Sequence, residues 1–166
     1  MSTDKIYLVG FMGAGKTTVA RALASRLDWR VEDVDDRIEA REHRTIAAIF
    51  ARDGEGYFRE IERQVLLDLM PTRHVVVATG GGTFAETENR ALINRDGMSV
   101  WLDVPLATLV ERLPTDGRRP LATDRARFEH LYETRRAAYQ HAHLRVDADR
   151  LSVEALVEQL VDHLDA

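Results

Sequence analysis

The stretch Gly10-Phe11-Met12-Gly13-Ala14-Gly15-Lys16-Thr17-Thr18 limits what the start of this chain can fold into. Read from Gly10, it fits G-x-x-x-x-G-K-[ST], a loop whose inward-facing N–H groups wrap a polyphosphate. The apolar run Lys5 to Val9 before it reads as a buried parallel strand. After it, Val19, Leu23 and Leu27 recur at helical spacing, so a helix is expected over 17–27. Strand, glycine loop and helix together set an anion at a helix N-terminus, where unpaired N–H groups and the dipole favour it. In that frame Lys16 reaches the outer phosphates and the Thr17 hydroxyl can ligate Mg²⁺. A glycine-rich turn that binds nothing would not need this context. The motif specifies nucleotide phosphate but not its fate.

Further along, short apolar runs alternate with amphipathic stretches. Strands are expected over 29–33, 74–78, 98–102 and 144–147. Helices are expected over 34–44, 46–53, 57–69, 87–95, 105–112, 128–141 and 153–164, with Gly54-Glu55-Gly56 as a break. Residues 113–127 are polar and arginine-rich with two prolines, and read as a mobile loop. Alternation of this kind predicts an α/β fold, a parallel sheet covered on both faces, within one domain spanning 1–166. Ligands of such sheets bind beyond the carboxyl ends of the strands. The glycine loop, Asp33 to Asp35 and Gly80-Gly81-Gly82 all follow strands there.

Composition narrows the classes. Hydrophobic residues make up 45% and charged residues 31% of 166, an ordinary soluble balance. No run approaches the ~18 apolar residues of a membrane helix. Met1-Ser2-Thr3-Asp4 leads directly into the first strand, without the look of a signal peptide, and cytoplasm is the default compartment. With no cysteine there is no disulfide, thiol nucleophile or thiolate metal site. A net charge of −5 argues against a nucleic-acid partner held on a broad basic face. Anionic substrates would therefore be held by individual arginines. A monomer is expected, since nothing reads as a large exposed apolar face.

Asp33-Val34-Asp35 puts two carboxylates one residue apart, on one face if the backbone is extended. Phosphoryl transfer to an alcohol needs a carboxylate on the metal side and a group that orients the hydroxyl and takes its proton. Asp33 is assigned to Mg²⁺ through water, since Mg²⁺ gives up its waters reluctantly, and Asp35 to the acceptor hydroxyl. Both can also serve the helix start, where aspartate caps well; Asp36 reads as a first-turn dipole residue only. Three glycines after a core strand let a ligand approach the backbone closely. Arg59, Arg119 and the pair Arg135-Arg136 sit at suggestive places, because a guanidinium fork matches a carboxylate or phosphate. Periodicity does not choose Arg59 over Arg63, or Arg135 over Arg136. The six histidines show no metal-ligand spacing and read as incidental.

Taken in order, the glycine loop, Asp33-x-Asp35, Phe58-Arg59-x-Ile61-Glu62, Thr79-Gly80-Gly81-Gly82, Arg119-Pro120-Leu121, and Arg135 four residues before Tyr139 resemble shikimate kinase. The likeness runs from the first strand to Val146-Asp147. It implies a P-loop, nucleoside-monophosphate-kinase-like three-layer sandwich with a five-stranded parallel sheet. A substrate-binding helical region over about 33–62 and a lid over about 113–127 complete it. It implies transfer of the ATP γ-phosphoryl to the 3-hydroxyl of shikimate. Carried over by position, the amides of Gly13, Ala14, Gly15, Thr17 and Thr18, with Lys16, hold ATP. Thr17 and Asp33 serve Mg²⁺, and Asp35 holds the acceptor diol. Arg59 and Arg135 clamp the shikimate carboxylate beside Gly80, Gly81 and Gly82. Arg119 closes from the lid and Arg112 packs on adenine.

Some positions depart from the family pattern. His43 stands where glycine is common, at a helix end that favours the left-handed conformation. Val153 replaces a proline that helps cover adenine, and Arg118 doubles the lid arginine, with the Arg-Pro-Leu register favouring Arg119. The rival readings are a gluconate kinase or antibiotic phosphotransferase, an adenylate-kinase-like enzyme, and a non-catalytic ATP-binding paralogue. The paired aspartates, triple glycine and two carboxylate arginines speak against the first; an adenylate-kinase-like lid and acceptor site would be built for a nucleotide; and the intact catalytic positions speak against a non-catalytic paralogue.

Overall fold

A computed structural model describes residues 3–112 and 122–165, without the side chains of 122–124 and 165. Five parallel strands, β1 (Lys5–Val9), β2 (Arg30–Asp33), β3 (Val75–Ala78), β4 (Met98–Asp103) and β5 (Leu144–Asp147), form one sheet in the order β2-β3-β1-β4-β5. Every residue of β1 and β3 is buried, so both faces of the sheet centre are covered. Period-two polarity is accordingly missing from these runs. Register is tight: Tyr7 pairs with Val77 on one side and Ser99 on the other. From β1 the chain crosses to the edge strand β2 beyond β3, and only after β3 does it pass to β4 and β5 on the other side of β1. The loop after β1 therefore opens at the topological switch point, where open α/β sheets bind ligands.

The helices are α1 (Lys16–Leu27), α2 (Val34–Glu42), α3 (Ile46–Leu69), α4 (Thr87–Asp96), α5 (Leu106–Glu111), α6 (Ala122–Tyr139) and α7 (Val153–Asp165). α1 packs on β1, β2, β3 and α7; α4 packs on β4; α3 packs on α2 and α4. The core joins strand residues such as Leu8 and Val77 to Leu23, Leu66 and Leu160, all fully buried. α3 is two helices joined across a kink at Gly54, whose φ of 83° and ψ of 176° are non-helical. The expected break is there, confined to Gly54. His43 ends α2 with φ 54° and ψ 37°, the left-handed conformation its position predicts. No helix among the described residues is long and apolar enough to cross a membrane.

Two expectations are corrected. The loop predicted over 113–127 is already helical from Ala122, and that helix stops at Tyr139 rather than His141. Ala122-Thr123-Asp124-Arg125-Ala126-Arg127 lacks an apolar stripe, yet alanine and arginine are good helix formers. A 3₁₀ turn over Thr83–Ala85, too short to leave a period, follows the triple glycine. Arg118 and Arg119, with Pro120 and Leu121, lie outside the described residues.

Candidate active site

Gly15, at φ 95°, leads into α1 as its N-cap without a side-chain cap, and the first turn of α1 carries no acidic residue. The opening N–H groups thus meet no competing carboxylate from their own helix. Lys16 is buried, and its Nζ donates to the carbonyls of Gly10 at 2.6 Å and Phe11 at 3.0 Å. Burial pulls its pKa down to about 8, with the Asp35 charge opposing that shift. Arg112, at the end of α5, donates from Nη1 to the Gly13 carbonyl at 2.8 Å, tying that helix end to the loop.

Thr17 Oγ1 donates to Asp33 Oδ2 at 2.8 Å, and Asp33 Oδ1 accepts from the Asp36 amide at 3.1 Å. Asp33 therefore caps α2 and faces Thr17 at once. Asp36 contributes its amide to that cap, in keeping with a first-turn role. The extended-backbone expectation holds for Asp33 (φ −120°, ψ 121°) but not for Asp35, which lies in the first turn of α2. The helical turn aims Asp35 at the triple glycine instead: a Cβ on Gly80 would meet Asp35 Oδ1 at 2.8 Å. Burial pushes the Asp35 carboxyl up to about 6, and the charges of Asp33 and Glu62 add to the effect. A cavity of about 350 Å³ joins the glycine loop, the Asp33–Asp35 turn and Gly80-Gly81.

The structure also separates the arginine pairs. A Cβ on Gly82 would lie 2.9 Å from Arg135 Nη2 and 2.9 Å from Arg59 Nη1, so both guanidiniums turn to this residue. Arg63 instead pairs with Glu88 at the surface, and Arg136 pairs with Asp103 at 2.8 Å. Burial is the main cause that draws the Arg135 guanidinium below its ordinary pKa, and the Arg59 charge pulls the same way. The buried Nε of Arg59 has no hydrogen-bond partner. Its nearest carboxylates, Glu55 at 3.5 Å and Glu86 at 3.7 Å, lie at ion-pair distance without closing a hydrogen bond to it.

Several supports escaped the residue-by-residue reading. Glu62, fully buried, accepts from Arg59 Nη1 at 2.9 Å, Thr83 Oγ1 at 2.8 Å and Asn89 Nδ2 at 3.2 Å. Thr83 Oγ1 in turn accepts from the Gly80 amide at 2.9 Å. One chain of hydrogen bonds therefore fixes both Arg59 and the glycine strip. Tyr139 donates its hydroxyl proton to the Gly81 carbonyl at 2.5 Å. Only the spacing Arg59-x-x-Glu62, an i,i+3 pair on a helix, hinted at any of this. Nor is every histidine incidental: the ring of His143 accepts from the Ser99 amide at 3.1 Å.

The donor set suits Mg²⁺. A hydroxyl and a carboxylate are hard oxygen ligands, and Mg²⁺ at nucleotide sites completes its shell with water and phosphate oxygens. Among the described residues no cluster of three or more His or acidic side chains offers an all-protein metal cage. Such a cage is not what Mg²⁺ uses beside phosphates.

Comparison with known proteins gives this arrangement a family. A family model described as shikimate kinase matches residues 12–165. The shikimate kinase of Thermosynechococcus vestitus is 44% identical over 160 residues, covering 96% of this chain and 86% of that one. That of Persephonella marina is 38% identical over 160 residues, covering 96% and 98%. The structure of Acinetobacter baumannii shikimate kinase in complex with shikimate superposes with a TM-score of 0.89 at 33% identity, covering 98% of this chain and 93% of that one. With its sheet order, phosphate loop and paired arginines in place, the chain belongs to the shikimate kinase family, whose reaction is the ATP-dependent phosphorylation of shikimate.

Proposed function

We propose the following division of labour for the transfer of the ATP γ-phosphoryl to the 3-hydroxyl of shikimate. The amides of Gly13 to Thr18 and the Lys16 ammonium hold the ATP phosphates, and Arg112 flanks the adenine. Thr17 and, through water, Asp33 hold Mg²⁺, which when bound offsets the charge of the outer phosphates. Arg59 and Arg135 grip the shikimate carboxylate over Gly82, with Gly80 and Gly81 forming the floor. Asp35 orients the 3-hydroxyl and takes its proton as the O3–phosphorus bond forms. The bond from phosphorus to the leaving oxygen breaks, and ADP departs with that oxygen. Lys16 and the lid residue Arg119 offset charge on the transferring group. Lid closure keeps water, the competing acceptor, out of the site.

The observation that carries this assignment is the convergence of Arg59 and Arg135 on Gly82. Two half-buried forks fit a carboxylated alcohol better than a neutral polyol. The reading takes the enzyme to act as a monomer, in the cytoplasm, on small molecules. ADP release from MgATP, measured with shikimate, gluconate and other small polyols in parallel, tests it. Shikimate-dependent release with silence on the others is expected. ATP binding without stimulation by shikimate would overturn the substrate assignment.

A further inference from the structure

Arg135 poses a physical problem that the reaction itself does not answer. It is a half-buried cation beside another cation, Arg59; it lies over the Phe11 ring at 5.9 Å, and among the described residues no carboxylate lies within ion-pair distance of it. Such a side chain would gain by turning α6 and escaping to water. Tyr139 ties the end of that helix to the Gly81 carbonyl, and a second hold lies beside Arg135 itself.

The next residue supplies the hold. Arg136 Nη1 donates to Asp103 Oδ1 at 2.8 Å and to the Tyr132 hydroxyl at 3.2 Å, while its guanidinium lies over the Trp101 ring at 5.0 Å. Tyr132, one turn earlier, donates to the Val104 carbonyl at 3.2 Å. Asp103 closes β4 and is only 5% exposed, so its charge needs its partners. Its other oxygen accepts from Arg145 on β5 at 2.7 Å. The end of the sheet thus grips α6 through Arg136, one position along from Arg135.

We infer that Asp103 and Arg136 are positioning residues that lock the rotation of α6 and so hold Arg135 in the carboxylate subsite beside Arg59. Asp103 acts as a counter-ion one residue removed: it neutralises the neighbour and leaves Arg135 unpaired for substrate. Had the carboxylate faced Arg135 directly, it would compete with the substrate for the same fork. Arg145 satisfies the rest of Asp103 from the sheet side.

This inference rests on the proposed carboxylate clamp, so the experiment separates the two. KM for shikimate, KM for ATP and kcat are measured for Arg136→Gln, Asp103→Asn, Arg145→Gln and Arg135→Ala, with thermal melts alongside. Arg136 is one-third exposed, so Arg136→Gln is the variant chosen to stay folded. Arg136→Gln and Asp103→Asn are expected to raise KM for shikimate about tenfold, short of the roughly hundredfold that a 1 Å misplacement can cause. KM for ATP should stay within about twofold, and Arg136→Lys should recover part of the loss. Arg145→Gln should leave KM for shikimate unchanged. If Arg135→Ala raises KM for shikimate while Arg136→Gln does not, the positioning role fails and the clamp stands. If Arg135→Ala itself leaves KM for shikimate unmoved, the clamp reading fails. A lower melting temperature with equal changes in both KM values would reduce the pair to a structural role and overturn the inference.

Discussion

At the scale of single residues, the site sets one acid and one base in shifted states. Asp35 is pushed up to about 6, chiefly by burial, and Lys16 is pulled down to about 8 by the same cause. In the proposed roles Asp35 works ionised and Lys16 protonated. kcat/KM for shikimate should therefore fall as pH drops through about 6, and kcat/KM for ATP should fall as pH rises through about 8. A shikimate profile flat across the lower transition would remove Asp35 from the chemistry. The stability consequence has the opposite sense. A carboxyl whose pKa is raised on folding stabilises most below its unfolded pKa, and loses that contribution as pH climbs through the folded value. Asp35→Asn should thus melt higher than the parent protein at neutral pH while losing most turnover. Arg59→Ala removes a charge-assisted pair of about 1.5–3 kcal/mol, and should weaken shikimate with ATP affinity nearly intact; equal loss of both refutes the clamp. Residue types and their order along the chain made these positions legible. Which arginine of a close pair turns inward was not, because the choice between Arg135 and Arg136 is made by Asp103, 33 residues away in sequence.

At the scale of elements, turns and helix ends carry the information that periodicity lacks. His43 ends α2 in the left-handed region, where a Cβ is strained and glycine is at ease. His43→Gly is expected to stabilise the protein by about 1 kcal/mol, read by chemical denaturation, with kinetics unchanged. A loss of stability would show that the imidazole makes a compensating contact. The kink at Gly54 was legible as a break because two glycines flank Glu55, though only the first leaves the helical region. The start of α6 was not legible, since its first turns have helix-forming residues but no apolar stripe. The turn of α2 that swings Asp35 toward Gly80 was hidden for a related reason. A strand end and a helix start share the same two carboxylates, and Asp33, by capping α2, sets where one state gives way to the other.

At the scale of the whole molecule, the two ends of the sheet do different work. The carboxyl ends carry the site. At the amino ends, fully buried Lys5 pairs with Asp96 at 2.6 Å, Tyr7 donates to the same carboxylate at 2.6 Å, and Arg73 bridges Asp96 at 2.7 Å to Asp4 at 2.6 Å. Burial pushes the Asp96 carboxyl up, yet the hydrogen bonds from Lys5, Tyr7 and Arg73 hold it below its ordinary range. A lowered carboxyl stabilises above its unfolded pKa, and that support is lost as pH falls through the folded value. Asp96→Asn would leave Lys5 buried without a counter-charge, destabilising the fold by about 3 kcal/mol, while both KM values stay put. A shifted KM would mean that the two ends are coupled through the strands. The parallel order of the sheet was legible in the alternation of runs. The ion cluster was not, because Asp4 and Lys5 meet Arg73 and Asp96 only through the fold, from distant parts of the sequence.

Gly82 has a consequence for any small molecule aimed at this enzyme. The volume a side chain would need there is already taken by the guanidinium nitrogens of Arg59 and Arg135. A carboxylated inhibitor seated on those two forks would rest against a wall that resistance could not thicken. Any residue larger than glycine would displace the arginines, and under the proposed clamp the variant that shut out the drug would lose its grip on its own substrate.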